Sequence, residues 1–273
     1  MPRQPYPSDL SDAEWAVLES RLPGARPGGR ARAHPPRELI DAMLYVLRGG
    51  IAWRALPHEF PPWQTVYHYF RVWRLDGTWE RVNAEVRDLV RARAGRAPQP
   101  TGAILDSQSA KTTEKRGPRG WDGAKRLNGR KRHLLVETAG LVLKAMVQPA
   151  NLPDREGARS VLLAARPEQP RLERMWVDAG YTGPLLVWAK EALGLTLEVT
   201  KRPRRWVRTP AGQDPPSLPA GFPVLPRRWV VERTFAWLGR YRRLSKDYEQ
   251  LPATEEAWIY LAMTRLMLAR LAR

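Results

Sequence analysis

The apolar residues in the first third of the chain recur at helical spacing. The segment RELIDAMLYVLRGG carries one apolar stripe, formed by Leu39, Ile40, Met43, Leu44 and Leu47. The two glycines that follow this stripe predict its end. Upstream, Asp9 or Ser11 is placed to cap a first helix that carries Trp15. Downstream, the segments PPWQTVYHYFRVWRLDG and WERVNAEVRDLVRAR predict two more helices.

The pattern changes after the segment AGRAPQP, which is typical of a linker. Five short apolar runs then predict strands: TGAILDSQ, KRHLLVET, LVLKAMVQ, ERMWVDAG and LTLEVTKR. Between them REGARSVLLAAR and PLLVWAKEAL predict helices, and residues 227–243 and 254–271 predict two more after a loop at 202–226. Because strands and helices alternate, we expect a mixed α/β sheet flanked by helices. The predicted domains are an all-α N-terminal domain, residues 1–97, and an α/β domain, residues 98–273.

The short helices and tight turns of the N-terminal domain are compatible with a helix-turn-helix-like unit that binds DNA. One aromatic stripe in this domain has helical spacing: Trp63, Tyr67, Phe70 and Trp73. The core of a plain helical bundle has the same spacing. DNA contact by this region is therefore favoured mainly by the charge of the whole chain.

Lysine and arginine outnumber aspartate and glutamate by 46 to 28 among the 273 residues, which gives a formal net charge of +18. Such an excess predicts a polyanionic partner, either nucleic acid or an anionic membrane surface. No apolar run of about 18 residues is present to span a membrane, and the N-terminus lacks the apolar stretch of a secretory signal. The absence of cysteine excludes disulfides and thiolate metal sites and fits a cytosolic protein.

The positive charge is concentrated in three segments. Residues 111–132 hold nine basic and two acidic residues, residues 201–208 hold five basic and no acidic ones, and residues 227–246 hold seven basic and one acidic. A single basic run is usually solvated surface. Three such runs beside one candidate acidic site favour the electrostatic binding of a nucleic acid.

Three acidic residues form that candidate site. Asp106 and Asp178 each close a short apolar run, and Glu232 lies in a predicted helix with arginines on both sides. Two aspartates at the ends of adjacent strands can share one cation, and Mg²⁺ prefers oxygen ligands. Taken alone, each aspartate is explained as a strand-end cap and Glu232 by an ion pair with Arg228. Together, in a basic chain, they predict metal-dependent chemistry on a polynucleotide.

Several motifs, in order, make the chain resemble a known family. ILDSQSAK, NGRKRHLLVETAG, QPANLPDREGA, WVDAGYTG, RRWVVERTFAWLGRYRRLSKDYE and EEAWIYLAMTRLML are similar to bacterial insertion-sequence transposases of the DDE class. The branch is the one named after insertion sequence five, and GIAWRALPHEFPPWQTVYHYFRVW resembles the helical leader domain of that family. The resemblance covers nearly the whole chain. It implies a ribonuclease H-like catalytic domain in which the metal ligands are Asp106, Asp178 and Glu232.

The resemblance also implies an activity. The expected protein binds terminal inverted repeats, cleaves DNA at the element ends and joins 3′-hydroxyl ends to double-stranded target DNA, as a homodimer on paired ends in the bacterial cytoplasm at the nucleoid. Two Mg²⁺ ions, or Mn²⁺ in their place, are expected to activate the attacking hydroxyl and stabilise the leaving oxygen. No covalent protein–DNA intermediate is then needed, so Ser107 and Ser109 are not expected to be nucleophiles.

Basic residues around the acidic set are the expected DNA contacts: Lys111, Lys125, Arg130, Lys131, Arg132, Lys201, Arg204, Arg205, Arg228, Arg240, Arg243 and Lys246. Arginine supplies 38 of the 46 basic residues and suits bidentate contact with phosphate. Trp121 and Trp206, each among basic residues, are candidates for stacking on unpaired bases. Ordinary surface packing explains these two tryptophans equally well.

The chain departs from the signature that the wider group has around its glutamate: Tyr, two residues, Arg, three residues, Glu, six residues, Lys. Arg228 and Glu232 match, whereas a leucine replaces the tyrosine and a glycine replaces the lysine. On one continuous helix, at about 100° per residue, Arg243 would share the face of Glu232 and Arg240 would lie about a quarter turn away. These two arginines are therefore candidates for the missing phosphate clamp.

Two other classes of protein fit parts of the same pattern. A non-catalytic DNA-binding regulator derived from a transposase is disfavoured because all three acids are present. Another ribonuclease H-like nuclease is disfavoured by the N-terminal helices and the long basic insert. The last helix is expected to pack in the core in preference to forming the dimer contact, through Trp258, Leu261, Met263, Leu266 and Met267.

Overall fold

The fold is given by a computed structural model that describes residues 3–24, 32–200 and 227–273. The predicted loop at 202–226 lies outside the described residues. So do three of the predicted DNA contacts, Lys201, Arg204 and Arg205, and the candidate stacking residue Trp206.

The described part of the N-terminal region contains four α-helices: α1 (Asp12–Glu19), α2 (Pro36–Gly49), α3 (Trp63–Leu75) and α4 (Thr78–Arg93). Ser11 caps α1, because its hydroxyl accepts from the backbone N–H of Glu14 while the Glu14 carboxylate accepts from the backbone N–H of Ser11. Gly50 ends α2 with a φ of 68°, a conformation that favours glycine. The helices predicted over residues 1–97 are thus confirmed.

Within the described residues, one mixed sheet has six strands: β1 (Gly102–Lys111), β2 (Gly120–Asp122), β3 (Leu127–Glu137), β4 (Val142–Pro149), β5 (Arg174–Val177) and β6 (Thr196–Val199). The order is β2-β3-β1-β5-β6, and β4 also pairs with β3. β1 is antiparallel to β3 and parallel to β5. The predicted α/β class is confirmed. Strand β2 was missed because three residues are too few to set an apolar pattern.

Four further helices cover the two faces of this sheet: α5 (Asp154–Ala165), α6 (Pro184–Leu193), α7 (Arg228–Leu238) and α8 (Pro252–Leu271). One core lies between the sheet and α5 and α6, and it receives Ala103 and Leu105 from β1. The other core includes α7, α8 and the N-terminal helices, and it receives Ile104. Because side chains alternate along a strand, Asp106 faces α7 and Ser107 faces α5.

The N-terminal helices share their core with α8. Trp258 of α8 stacks on Phe70 of α3 with ring centroids 4.1 Å apart, and on Trp53 at 5.4 Å. The core interpretation of α8 is confirmed, since Trp258, Leu261, Met263 and Met267 are buried. No helix in the described ranges combines the length and apolarity that crossing a bilayer requires.

Helix α7 is shorter than predicted. It ends at Leu238, and the chain then turns through a 3₁₀ turn at Arg242–Leu244. The helical-wheel argument that placed Arg243 on the face of Glu232 is therefore wrong. Arg243 lies in the interior, where its Nε donates to Glu249 over 2.8 Å and its Nη1 donates to the carbonyl of Ile51 over 2.8 Å.

A buried histidine lies between β3 and α5. The ring of His133 lies so close to Gly157 that a Cβ at that glycine would be 2.2 Å from it. Neither ring nitrogen has a hydrogen-bond partner within the described part of the chain. Burial lowers the pKa of His133 to about 4, with Asp154 opposing the shift and Lys131 adding to it. His133 is therefore neutral in the folded protein at neutral pH.

We expect acid to destabilise the fold through His133. Below pH 6.5 the unfolded histidine binds a proton, whereas the folded one does so only near pH 4. Between these values the free energy of unfolding falls by about 1.4 kcal/mol per pH unit, or about 3 kcal/mol in all. Denaturant unfolding of the wild type and of His133→Leu measures this effect, because the variant lacks the titrating group and loses no hydrogen bond. The difference in free energy of unfolding between the two proteins should change with pH. A difference that stays constant from about pH 7 to about pH 4 would contradict it.

Candidate active site

Parallel pairing of β1 with β5 brings the two aspartates together. Ile104 pairs with Trp176, and continuing this register puts Asp106 level with Asp178. Asp178 directly follows β5, as predicted, and its side chain accepts from the backbone N–H of Gly180 over 2.7 Å. Asp106 does not end its strand, since β1 continues to Lys111. The aspartates are thus neighbours, although only one lies at a strand end.

Helix α7 brings the glutamate to the aspartates. Arg228 in its first turn places one nitrogen, Nη2, among all three acids. That nitrogen is 3.1 Å from Asp106 Oδ2, 3.9 Å from Asp178 Oδ2 and 3.8 Å from Glu232 Oε1. The three candidate ligands, far apart in sequence, therefore surround a single positive charge.

The electrostatics of this cluster favour a cation. Burial raises the pKa of Asp106 to about 6, against the opposing effects of Arg228 and of the backbone N–H of Ser107. An ionised Asp106 therefore needs positive charge close by. Three carboxylates and one guanidinium leave two formal negative charges, which a divalent cation balances.

The residues fit a divalent cation in donor chemistry, since Mg²⁺ and Mn²⁺ take carboxylate oxygens. In this arrangement the carboxylates surround the Arg228 guanidinium, and the described residues form no group of three acidic or histidine side chains around one ion position. The fit of the site to a divalent cation therefore rests on the type of donor atom and on the charge. The residues that would hold the ion are Asp106, Asp178 and Glu232.

The two serines near Asp106 lie on the opposite face of β1. The Ser107 hydroxyl donates to Asp154 Oδ1 over 2.9 Å, and the Ser109 hydroxyl donates to Asp122. His133 pairs with Ser107 across the ladder, but within the described chain its ring makes no hydrogen bond to a hydroxyl. Ser107 and Ser109 thus bond to carboxylates and not to a histidine of the described residues. That neither serine is a nucleophile stays an expectation.

If the cluster cleaves DNA, as the resemblance implies, Ser107→Ala is expected to stay within about tenfold of the wild-type rate, because the loss of its bond to Asp154 removes none of the three candidate ligands. Cleavage of an end-labelled duplex, followed by denaturing electrophoresis, measures the rate and detects any protein–DNA adduct. A covalent adduct in the wild type that disappears in Ser107→Ala would contradict the expectation.

Asp154 lies next to the candidate site, and no role for it was predicted from the sequence. It begins α5, accepts from Ser107 and pairs with Lys131 Nζ at 3.0 Å. The signal was available, since QPANLPDREGA, which contains Asp154, is one of the motifs that carry the resemblance. Asp154 thus joins β1, β3 and α5 directly behind Asp106.

The predicted DNA contacts divide by exposure. Five of these side chains are exposed: Lys111, Trp121, Lys125, Arg240 and Lys246. Four of the predicted contacts are buried, and in this fold their guanidiniums pair with acids of the protein, against the predicted role in DNA binding: Arg130, Arg132, Arg228 and Arg243. Arg130 donates to Asp247 Oδ2 over 2.8 Å, and Arg132 pairs with Glu255. These guanidiniums hold the segment between α7 and α8 against the sheet.

Comparison with known proteins places this site in a family. A family model described as "Transposase DDE domain" matches residues 97–267, more than half of the chain, and one described as "Putative transposase of IS4/5 family" matches residues 10–83. The "Insertion element IS402 uncharacterized 16.2 kDa protein" of Burkholderia cepacia is 29% identical over 108 residues, which cover 37% of this chain and 71% of that protein. Domains of this class generally use divalent metal ions. The chain therefore belongs to the DDE transposases, in their IS4/5 type.

Proposed function

We propose that this transposase binds the terminal inverted repeats of its element, cleaves the DNA at the element ends and joins the resulting 3′-hydroxyl groups to target DNA. The observation that carries the proposal is the meeting of Asp106, Asp178 and Glu232 around Arg228. Carboxylates that converge from two strands and a helix, in a protein of net charge +18, suit phosphodiester chemistry.

Asp106, Asp178 and Glu232 are the proposed ligands of two Mg²⁺ ions, with Mn²⁺ as a substitute. Bound divalent ions supply activation of the attacking hydroxyl and charge stabilisation at the leaving oxygen. Asp106 is held for this role by its ladder position in β1 and by the N–H of Ser107, which donates to its carboxylate over 2.8 Å.

Arg228 is the proposed organiser of the ligands. Its buried guanidinium keeps three like charges close together and offsets their repulsion. The exposed side of α7 leaves Glu232 open to solvent at the site, where substrate phosphates would arrive. These residues therefore position the anionic ligands before DNA binds.

The proposed DNA contacts are the exposed basic side chains Lys111, Lys125, Arg240 and Lys246, together with the half-buried Lys131. Lys201, Arg204 and Arg205 remain proposed contacts from the sequence. Trp121, which is 58% exposed, is the proposed stacking platform for an unpaired base, and Trp206 a second. The N-terminal domain, residues 1–97, is the proposed reader of the inverted repeat. A homodimer on paired ends is proposed because the reaction joins two ends, and the nucleoid is the proposed location because the DNA substrate lies there.

Cleavage of an element-end duplex labelled at one 5′ end tests the proposal. We expect one Mg²⁺-dependent cut at the element boundary that leaves a 3′-hydroxyl, with Mn²⁺ as a substitute and EDTA as the blank. Specific binding of the end with no cut under either metal would overturn the proposal in favour of a DNA-binding regulator. Cutting only at branched junctions would favour another ribonuclease H-like nuclease.

A further inference from the structure

Away from the carboxylates, two adjoining cavities of about 470 and 430 Å³ form one groove. Ser8, Arg48 and Arg240 line both cavities. The walls come from the N-terminal segment, from α2, from the end of α7 and the chain that follows it, and from the end of α8. Six arginines line this arginine groove: Arg48, Arg240, Arg242, Arg265, Arg270 and Arg273.

The positive charge of the arginine groove is largely uncompensated. Arg265 pairs with Glu14, but the other five arginines form no ion pair with any carboxylate in residues 3–24, 32–200 and 227–273. Arginines elsewhere do find partners, such as Arg81 with Glu85 at 2.9 Å. Like charges gathered without counter-charge repel one another, so a polyanion that enters the groove relieves this repulsion.

Aromatic side chains orient part of this charge. The Arg270 guanidinium lies over the ring of Trp237 at 4.7 Å from its centroid. Tyr241 lines the same cavity as Trp237, and its hydroxyl donates to the carbonyl of Ala262 over 3.2 Å. A planar guanidinium held on an aromatic face keeps its donors free for bidentate contact with phosphate oxygens.

The groove lies along a line of exposed residues that starts at the carboxylates. On α7 the exposed positions Glu232 and Ala236 are four residues apart, and the exposed Arg240 follows two residues after the helix ends at Leu238. The six residues from Glu232 to Leu238, at 1.5 Å per residue, correspond to about 9 Å. That distance is about two to three nucleotides of one strand in duplex DNA.

We propose that the arginine groove binds the sugar–phosphate backbone of duplex DNA, without reading its bases, beside the point of cleavage. The choice of DNA as the polyanion rests on the function proposed above. The charge pattern itself is independent of that function.

Fluorescence anisotropy with a random-sequence duplex of about 30 base pairs, in EDTA, tests the proposal. The groove variant is Arg48→Ala/Arg240→Ala, which changes two exposed side chains that line both cavities. The matched control is Arg171→Ala/Lys190→Ala, also two exposed charges, on the α5 and α6 side of the sheet. Thermal melting establishes that both variants fold.

We expect the groove variant to bind the duplex about tenfold more weakly than the control at about 0.1 M salt. The slope of log K against log salt should also fall by about 2, roughly one unit for each lost phosphate contact. Equal affinity of the two variants would overturn the proposal. The proposal would also be overturned if the groove variant lost binding to phosphatidylglycerol vesicles while its affinity for the DNA duplex did not change.

Parallel cleavage of the element-end duplex separates this proposal from the proposed function. Weaker binding by the groove variant, with no cleavage by the wild type, would support DNA binding by the arginine groove and overturn the proposed cleavage activity. Cleavage by the wild type, with equal DNA binding by the groove and control variants, would overturn DNA binding by the arginine groove and support the proposed cleavage activity.

Discussion

Replacement of Asp106 by asparagine is expected to abolish DNA cleavage, with a fall in rate of at least about 10³-fold, or about 4 kcal/mol of transition-state stabilisation. Asparagine keeps the shape of the side chain but removes the charge that would hold a divalent cation. Glu232→Gln and Asp178→Asn should have effects of the same order, because the three carboxylates surround one point. Single-turnover cleavage of an element-end duplex measures the loss.

The control for this loss is Glu191→Gln, an exposed carboxylate on α6 at the other side of the sheet. It should cleave at about the wild-type rate. Asp106→Asn should melt no lower than the wild type, since burial disfavours the Asp106 carboxylate and raises its pKa to about 6. Retained folding and DNA binding would tie the lost activity to chemistry. Cleavage by Asp106→Asn at about the wild-type rate would contradict the assignment.

Arg130→Leu is expected to lower the free energy of unfolding by about 3–5 kcal/mol, the usual cost of leaving a buried partner charge uncompensated. The side chains of Arg130 and Asp247 are 1% and 0% exposed, and their ion pair is 2.8 Å long. The same guanidinium also donates to three backbone carbonyls, those of Pro118, Glu249 and Gln250. Denaturant unfolding measures the loss.

Two variants make this result specific. Arg130→Leu/Asp247→Leu should recover part of the stability, because no unpaired buried charge remains. Arg174→Leu breaks a pair with Glu198 whose side chains are 59% and 40% exposed, and should cost at most about 1 kcal/mol. A loss no larger for Arg130→Leu than for Arg174→Leu would contradict the buried network. Weakened DNA binding without any loss of stability would restore the predicted DNA contact.

The sequence predicted most elements because their patterns are local. The stripe of Leu39, Met43 and Leu47 and the alternation of strands with helices need no knowledge of distant residues. The end of α7 escaped prediction because the basic run continues beyond Leu238 with no proline, and because Gly239, which directly follows the helix, was interpreted as the replacement of a lysine and not as a stop signal. Its helical pattern and its charge run do not mark where the chain turns.

The buried arginines were mispredicted for a different reason. A run of positive charge is usually surface, but Arg130 and Arg132 alternate along β3 and point to the core that α8 completes. Their partners, Asp247 and Glu255, lie more than 110 residues away in sequence. Only the fold brings these acids to the arginines, so a reading of local charge could not find them.

The three acidic residues of the candidate site could be predicted from the sequence, but the arginine at their centre could not. Asp106, Asp178 and Glu232 were distinguished by their apolar and basic surroundings and by the family motifs. The position of Arg228 among all three carboxylates depends on how α7 packs against β1 and β3, which no spacing in the sequence fixes. The ion pair of Arg228 with Glu232, which the sequence offered as the explanation of Glu232 taken alone, is present, and it is part of the same cluster.

Metal-dependent strand transfer tests the central claim most directly. Purified protein is mixed with a pre-cleaved element-end duplex and a supercoiled plasmid, in Mg²⁺, Mn²⁺ or EDTA, beside Asp106→Asn and Glu232→Gln. We expect joined products from the wild type with either metal, and none in EDTA or from either variant. Tight binding of the element end by the wild type, with no joining and no cleavage under either metal, would contradict it.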